Sequence, residues 1–160
     1  MIRIIEANTD ESIAQTKSLF LEYAESLDFS LCFQNFDNEL ANIPSQYSPP
    51  NGHLFLALSE NEPIGCVGVR SFEKDICEMK RLYVKPEYRG KGAGKELAVS
   101  AIKSGKELGY EYMRLDTLSS METANQLYKS LGFIEIKSYR DNPIDGAIYM
   151  ELNLDNETIT

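Results

Sequence analysis

Between Lys85 and Gly94 the hydrophobic period of the chain changes from two to that of a helix, and no other feature of the sequence restricts the fold as much. Upstream, residues 54–59, 64–72 and 76–84 are apolar, β-branched and aromatic runs, with Asn61, Glu62 and Pro63 turning between the first two. They predict an antiparallel meander. Downstream, Leu97, Ala98, Ala101, Ile102 and Leu108 fall on one face of a helix that Gly109 ends. The junction carries Pro86 and then Gly90, Gly92 and Gly94, so a strand, a proline-marked turn and a glycine-rich helix start follow one another directly.

The flanking segments fit one mixed α/β unit. Residues 2–7 read as a first strand, and residues 9–27 carry Ile13, Leu19, Phe20, Tyr23, Ala24 and Leu27 at helical spacing. Residues 28–52 are aromatic and irregular, with Phe29, Phe33 and Phe36 ahead of a short helix reaching Asn42 and with Pro44, Pro49 and Pro50 behind it. They read as a functional loop region. A strand at 112–117 precedes Ser119 and Glu122, whose capping-box spacing predicts the start of a helix bearing Ala124, Leu127, Tyr128 and Leu131 and stopping at Gly132. Apolar runs at 133–136 and 147–154 close the sheet. No repeat or low-complexity stretch interrupts this order, and 160 residues with 42% hydrophobic content suffice for one core. Residues 1–154 are therefore read as a single domain and residues 155–160 as a frayed tail.

Charge narrows the function. The formal total is −9, distributed as −8 over residues 1–77, +4 over 78–114 and −5 over 115–160. Such a balance argues against a surface built to grip nucleic acid or an anionic membrane. Within residues 80–95, however, Lys80, Arg81, Lys85, Arg89, Lys91 and Lys95 face only Glu87. Backbone N–H groups at a helix start bind anions and glycines let a ligand come close, so this island suits a pyrophosphate; a solvated basic turn is the bland alternative. Two familiar nucleotide patterns fail. Gly94 and Lys95 are followed by Glu96 where a P-loop needs Ser or Thr, and the glycines run G-x-G-x-G after four strands rather than G-x-G-x-x-G after the first. Cys32, Cys66 and Cys77 lack metal-ligand spacing and an even count, and the sole histidine, His53, simply follows a turn at 49–52. A disulfide framework, a metal site and histidine-based catalysis are thus unsupported. With no export signal and no apolar run near the roughly 18 residues of a membrane span, the chain reads as cytoplasmic.

Two segments carry a family resemblance. Arg89-x-x-Gly92-x-Gly94, following Leu82-Tyr83-Val84, resembles the acetyl-CoA-binding motif of the GNAT superfamily of N-acetyltransferases. Independently, Ala124, Leu127, Tyr128, Gly132 and Phe133 match that family's A-x-x-L-Y-x-x-x-G-F helix and strand. The element order agrees over nearly the whole chain. The resemblance implies a mixed, mostly antiparallel sheet of about seven strands flanked by about four helices, with strand four splayed from strand five. It implies acetyl-CoA as cofactor and no metal, and it leaves room for a homodimer. The cofactor would be held by Leu82, Tyr83, Val84, Arg89, Gly90, Lys91, Gly92, Ala93, Gly94 and Lys95, with Ala124 and Leu127 along the arm. Met121 departs from the pattern, because many members carry Asn there; one polar contact to the arm is in question.

Acyl transfer to an amine needs a neutral nucleophile, a polarised carbonyl and a proton for the departing thiolate. Neutralising a lysine-like amine at pH 7 costs about 4.6 kcal/mol, against about 1 kcal/mol for an α-amine. Glu78 matches the position of the family's glutamate base, with an exposed strand carboxylate paired to Lys80 as the alternative. Tyr128 matches the tyrosine that protonates the thiolate, with core packing as the alternative. Phe33, Phe36, Tyr139 and Asn142, with Phe29, are candidates for the acceptor pocket, and packing explains the aromatics equally well. The expected activity is acetyl transfer from acetyl-CoA to a primary amine of a small molecule or peptide, by direct attack in a ternary complex. A non-catalytic acyl-CoA sensor is the alternative.

Overall fold

The computed structural model describes residues 1–27, 36–139 and 146–155. The meander forms as its punctuation dictates. Strands β1 (Ile2–Glu6), β2 (His53–Ser59), β3 (Glu62–Glu73) and β4 (Ile76–Val84) pair antiparallel in succession. The β2–β3 hairpin closes through Glu60 and Asn61 at φ 50° and 69°, the left-handed geometry of a two-residue turn for which Asn is suited. Strand β5 (Tyr112–Leu118) joins β4 in parallel, β7 (Ala147–Asn153) runs antiparallel to β5, and β6 (Ile134–Ile136) pairs with β7 at the edge. The order of the seven-stranded sheet is β1-β2-β3-β4-β5-β7-β6.

Among the described residues five α-helices cover it: α1 (Asp10–Ser26), α2 (Phe36–Ala41), α3 (Ile43–Gln46), α4 (Ala93–Glu107) and α5 (Glu122–Ser130). The additional helix is α3, which starts on the segment expected to be irregular. Pro44 lies in its first turn, where the missing N–H has no helical partner to lose. Period two on β2, β3 and β5 sends alternate residues to opposite faces, giving two cores. On one face Leu97, Ala98, Ala101 and Ile102 of α4 pack on Val67, Val69, Met79, Met113 and Leu115. On the other, Leu19 and Phe20 of α1 and Ile43 and Tyr47 pack on Leu54, Leu56 and Cys66.

Helix starts differ from the sequence reading in an instructive way. Thr9 and Ser12 form a reciprocal capping box on α1. The expected box at Ser119 and Glu122 does not form: Met121 is the N-cap of α5 and makes no side-chain cap bond, while the Ser119 amide donates to Gly146 O at 2.8 Å. Ser119 is thus tied to the approach of β7. Asn125 holds the β5–α5 connection instead, its Nδ2 donating to Leu118 O at 2.8 Å and its Oδ1 accepting from Thr117 Oγ1 at 2.9 Å. His53 is structural too, bonding Ser104 of α4 through Nδ1 and Glu6 of β1 through Nε2 at 3.1 Å. No helix among the described residues is long and apolar enough to cross a membrane.

Candidate active site

The site begins where the sheet opens. β4 and β5 pair only at Ile76–Tyr112, Cys77–Met113 and Glu78–Arg114; beyond Glu78 the two strands continue without pairing. A bulge accompanies the opening. Between the pairs Gly68–Lys80 and Cys66–Tyr83, β4 holds one more residue than β3, and Arg81 sits at φ 60°. Bulges bend a strand and increase its twist, which carries β4 away from β5. A left-handed non-glycine residue costs about 1–2 kcal/mol, so something must hold Arg81. Its guanidinium grips the Glu39 carboxylate of α2 at two points, Nη2–Oε1 2.8 Å and Nε–Oε2 3.1 Å, with Phe36 against its face at 5.3 Å. Tyr47 Oη donates to the same carboxylate at 2.9 Å. Burial works to raise the Glu39 carboxyl, yet the bonds from Arg81 and Tyr47 leave it below the usual range. Phe36 is therefore a buried packing residue beneath Arg81.

Register decides which backbone groups face the gap. The Lys85 amide donates to Ile64 O at 2.8 Å, so Val84, paired with Gly65, turns its own N–H and C=O away from β3. Leu82 shares that parity. Their side chains pack in the α4 core, and the Tyr83 side chain leaves the gap to bond Glu22 of α1 at 3.2 Å. At Leu82 and Val84 it is thus the backbone that faces the gap, whereas Tyr83, of the opposite parity and paired with Cys66, turns its backbone groups toward β3.

The glycine-rich turn fits an anion. Pro86–Tyr88 form one 3₁₀ turn, and Arg89 Nε donates to Val84 O at 2.9 Å, pinning the loop to the end of β4. Gly90 and Gly92 take φ +82° and +90°, and a Cβ on either would meet nothing within 4 Å. Backbone conformation, not crowding, requires glycine there. Gly92 caps α4 without any side-chain bond, leaving the amides of Ala93, Gly94 and Lys95 without intrahelical acceptors. A Cβ on Gly94 would make only ordinary contacts, at 3.9 Å, with Leu127 and Val84, so the protein itself does not demand glycine. The bare position keeps a concavity beside free amides, with Arg89, Lys91 and Lys95 exposed around it. A pyrophosphate suits this cradle.

Tyr128 lies on the α4 side of the sheet, 8% exposed and edge-on to Phe133 at 5.9 Å. Burial pushes its phenol up, with Tyr23 and Asp116 adding to the effect from the α1 side. Its hydroxyl makes no hydrogen bond to a described residue, and no side-chain polar atom among those residues is sealed without a partner. Ala124 and Leu127 are half-buried at the same edge of that core.

Glu78 occupies the α1 side of the opening and is 1% exposed. Tyr139 Oη donates to its Oε2 at 2.9 Å, and Arg70 Nε approaches Oε1 at 3.4 Å. The alternative, an exposed carboxylate paired with Lys80, is not what forms: Glu78 is buried and Lys80 Nζ lies 3.6 Å from Asp116 Oδ1 of β5. Burial draws the Lys80 ammonium down to about 8, opposed by Asp116 and Glu78. A cavity of about 460 Å³ adjoins Glu78, lined also by Ser45, Gln46, Asn51, Arg70, Ser71 and Phe72. Tyr139 stacks edge-on against Phe72 and Tyr149 at 4.9 and 5.0 Å, which holds its hydroxyl against the Glu78 carboxylate. Phe29, Cys32, Phe33 and Asn142 lie outside the described residues. Among the described residues no group of three His, Cys, Asp or Glu side chains is placed to hold a metal.

Residues 15–133 match the Acetyltransferase (GNAT) family. The chain belongs to the GNAT acetyltransferase family. This GNAT chain is 41% identical over 155 residues to an uncharacterized N-acetyltransferase of Schizosaccharomyces pombe, covering 96% of the chain and 95% of that protein. It is 31% identical over 110 residues to N-acetylaspartate synthetase of Danio rerio, 68% of this chain and 39% of that protein. In fold it is similar to an acetyltransferase of the GNAT family from Staphylococcus aureus, with a TM-score of 0.79 and 22% identity over 96% of this chain and 99% of that one. A putative acetyltransferase of Salmonella typhimurium, solved with its cofactor acetyl-CoA, has a TM-score of 0.74 and 20% identity over 98% and 96%. Family membership makes the chain an acetyl-CoA-dependent N-acetyltransferase.

Arg70, Glu39 and Arg81 are absent from the sequence-derived site of this GNAT enzyme. The bulge had a signal: apolar alternation through Cys77 and Met79 slips by one position to Leu82 and Val84. The pairing of Arg70 with Glu78 had none, since it depends on the β3–β4 register.

Proposed function

We propose that this enzyme acetylates a primary amine by direct attack, with Glu78 taking the amine proton and Tyr128 returning a proton at the thioester sulfur. The observation that supports the proposal is that Glu78, the last β4 residue paired with β5, lines the cavity, while Tyr128 on the α4 side keeps a hydroxyl with no hydrogen bond to a described residue. Acetyl-CoA supplies an activated acyl group when bound. The amides of Ala93, Gly94 and Lys95 and the cations Arg89, Lys91 and Lys95 would hold its pyrophosphate, and the backbone of Val84 and Leu82 its arm. An amide aimed at the acyl oxygen stabilises negative charge developing there, a contribution of about 3–4 kcal/mol per donor in acyl-transfer enzymes. Glu78, steadied by Tyr139 and Arg70, accepts a proton from the amine in the cavity. The raised phenol of Tyr128 stays protonated at neutral pH and keeps a proton ready for a thiolate.

Direct transfer is favoured over an acetyl-cysteine route. Cys66 and Cys77 are buried, and burial pushes the Cys77 thiol up to about 12 and raises Cys66 as well. Glu78→Gln should lower kcat/KM at neutral pH by about 100-fold or more, and Tyr128→Phe should lower kcat while leaving CoA affinity within about twofold. Unchanged kcat/KM in the first variant together with unchanged kcat in the second would overturn the acid–base assignment.

A further inference from the structure

Arg70 and Glu78 form a register pair across β3 and β4, and both line the cavity. Their mutual contact is a single bond of 3.4 Å from Nε to Oε1, longer than the 2.7–2.9 Å of a strong charge-assisted bond. A second Arg70 donor, Nη1, reaches only the neutral amide oxygen of Gln46 at 3.1 Å. The same protein shows what a committed guanidinium looks like: Arg81 clasps Glu39 at 2.8 and 3.1 Å and is sealed from solvent. Arg70 instead keeps 22% of its side chain accessible beside the cavity, and its planar fork of five N–H donors is spent on two one-point contacts among the described residues.

A small zwitterion answers this arrangement. Its ammonium would take the place of Arg70 beside Glu78, and its carboxylate would face the guanidinium, exchanging one long ion pair for two without altering the net charge of the cavity. Because the two side-chain heads meet at 3.4 Å, the charges of the ligand must lie within a few ångströms of one another. An α-amino acid satisfies that spacing; an extended polyamine, whose cations are far apart and have no anion, does not. Ser45, Gln46, Asn51 and Ser71 give the remaining wall a polar character.

We propose that Arg70 is a carboxylate-binding residue of the acceptor site and that the acceptor is a free α-amino acid. The inference rests on the reading of Glu78 as the group that meets the amine. The test compares standard L-α-amino acids with their carboxamides, which keep the amine and lose the carboxylate, by thiol release from acetyl-CoA with the full chain. At least one acid should exceed its amide in kcat/KM by about tenfold or more, the scale of a charged hydrogen-bonded contact. That ratio should collapse toward one in Arg70→Gln and recover partly in Arg70→Lys, with thermal melting confirming that both variants fold. Titration of the same acid–amide pairs into the CoA-bound protein gives a readout independent of turnover. Acids bound more tightly than amides without acetylation of either would overturn the transfer reading and leave the subsite standing. Acids and amides equal in binding and rate, or a ratio that survives Arg70→Gln, would overturn the subsite.

Discussion

Replacing Glu39 with Gln removes one charge at nearly constant shape and leaves the Arg81 guanidinium, 6% exposed, without its carboxylate. Removing one partner of a buried ion pair destabilises by about 3–5 kcal/mol. The amide oxygen of Gln still accepts one bond, worth about 1 kcal/mol, so the expected loss is about 2–4 kcal/mol. That is a large share of the roughly 5–15 kcal/mol by which a domain is stable. The loss should depend on pH. Because the folded Glu39 carboxyl lies below its ordinary value of 4.5, its contribution is complete above that value and disappears as pH falls through the folded pKa. Urea denaturation of both proteins should therefore show a gap at pH 7 that narrows in acid. Activity should fall too, since the clasp holds the left-handed residue preceding Leu82. A gap below about 0.5 kcal/mol at pH 7, the range of ordinary surface substitutions, would refute the claim that the clasp stabilises the bulge.

Three further outcomes follow from the same geometry. Gly92→Ala places a Cβ at φ +90° and should cost about 1 kcal/mol in stability while weakening CoA binding, read by calorimetry; unaltered affinity would detach this turn from the cofactor. The Lys80 ammonium should titrate with a midpoint of about 8 in a ¹³C NMR series, and its depressed value means that stability attributable to Lys80 rises as pH climbs from there toward its ordinary 10.5; a midpoint above 10 contradicts the burial argument. Gly68→Ala would set a Cβ 2.5 Å from the Tyr47 ring, so thermal denaturation should show a loss of about 1–3 kcal/mol from overpacking, and a neutral effect would mean that the ring moves aside freely.

The parts of this enzyme legible in its sequence are those governed by local rules. Apolar runs bounded by turn residues mark β2 and β3, apolar alternation marks β5, and the positive φ angles at Gly90 and Gly92 are what a glycine-rich turn before a helix requires. Tyr128 and Glu78 were reached through motif resemblance; Glu78 is the last β4 residue paired with β5, and Tyr128 is packed in the α4 core. What sequence could not supply is pairing. Ser119 and Glu122 have the spacing of a capping box, but the Ser119 amide is claimed by Gly146 from the far side of the β6 excursion. Lys80 stands two residues from Glu78 on the same face, yet Asp116 of the parallel neighbour lies against its ammonium. In each case a distant backbone or charge defeats a plausible local partner, because tertiary register decides the distances.

One inserted residue in β4 organises both halves of the site. Side chains on a strand alternate, so adding one position transfers everything beyond it to the opposite face. Cys77 and Met79 point into the α4 core, and so do Leu82 and Val84, which an unbroken strand would have turned toward α1. Glu78 and Lys80 face the α1 side, and after the insertion so do Arg81 and Tyr83. The bulge thus gathers Glu78, Lys80 and Arg81 on the α1 side while filling the opposite face with apolar packing against α4. It also accompanies the parting of β4 from β5, so that Val84, paired with Gly65 of β3, has no partner on β5 and its carbonyl accepts from Arg89 instead. An acidic chain in this way carries its cationic glycine-rich turn on one side of the strand and, on the other, the cavity lined by Arg70 and Glu78.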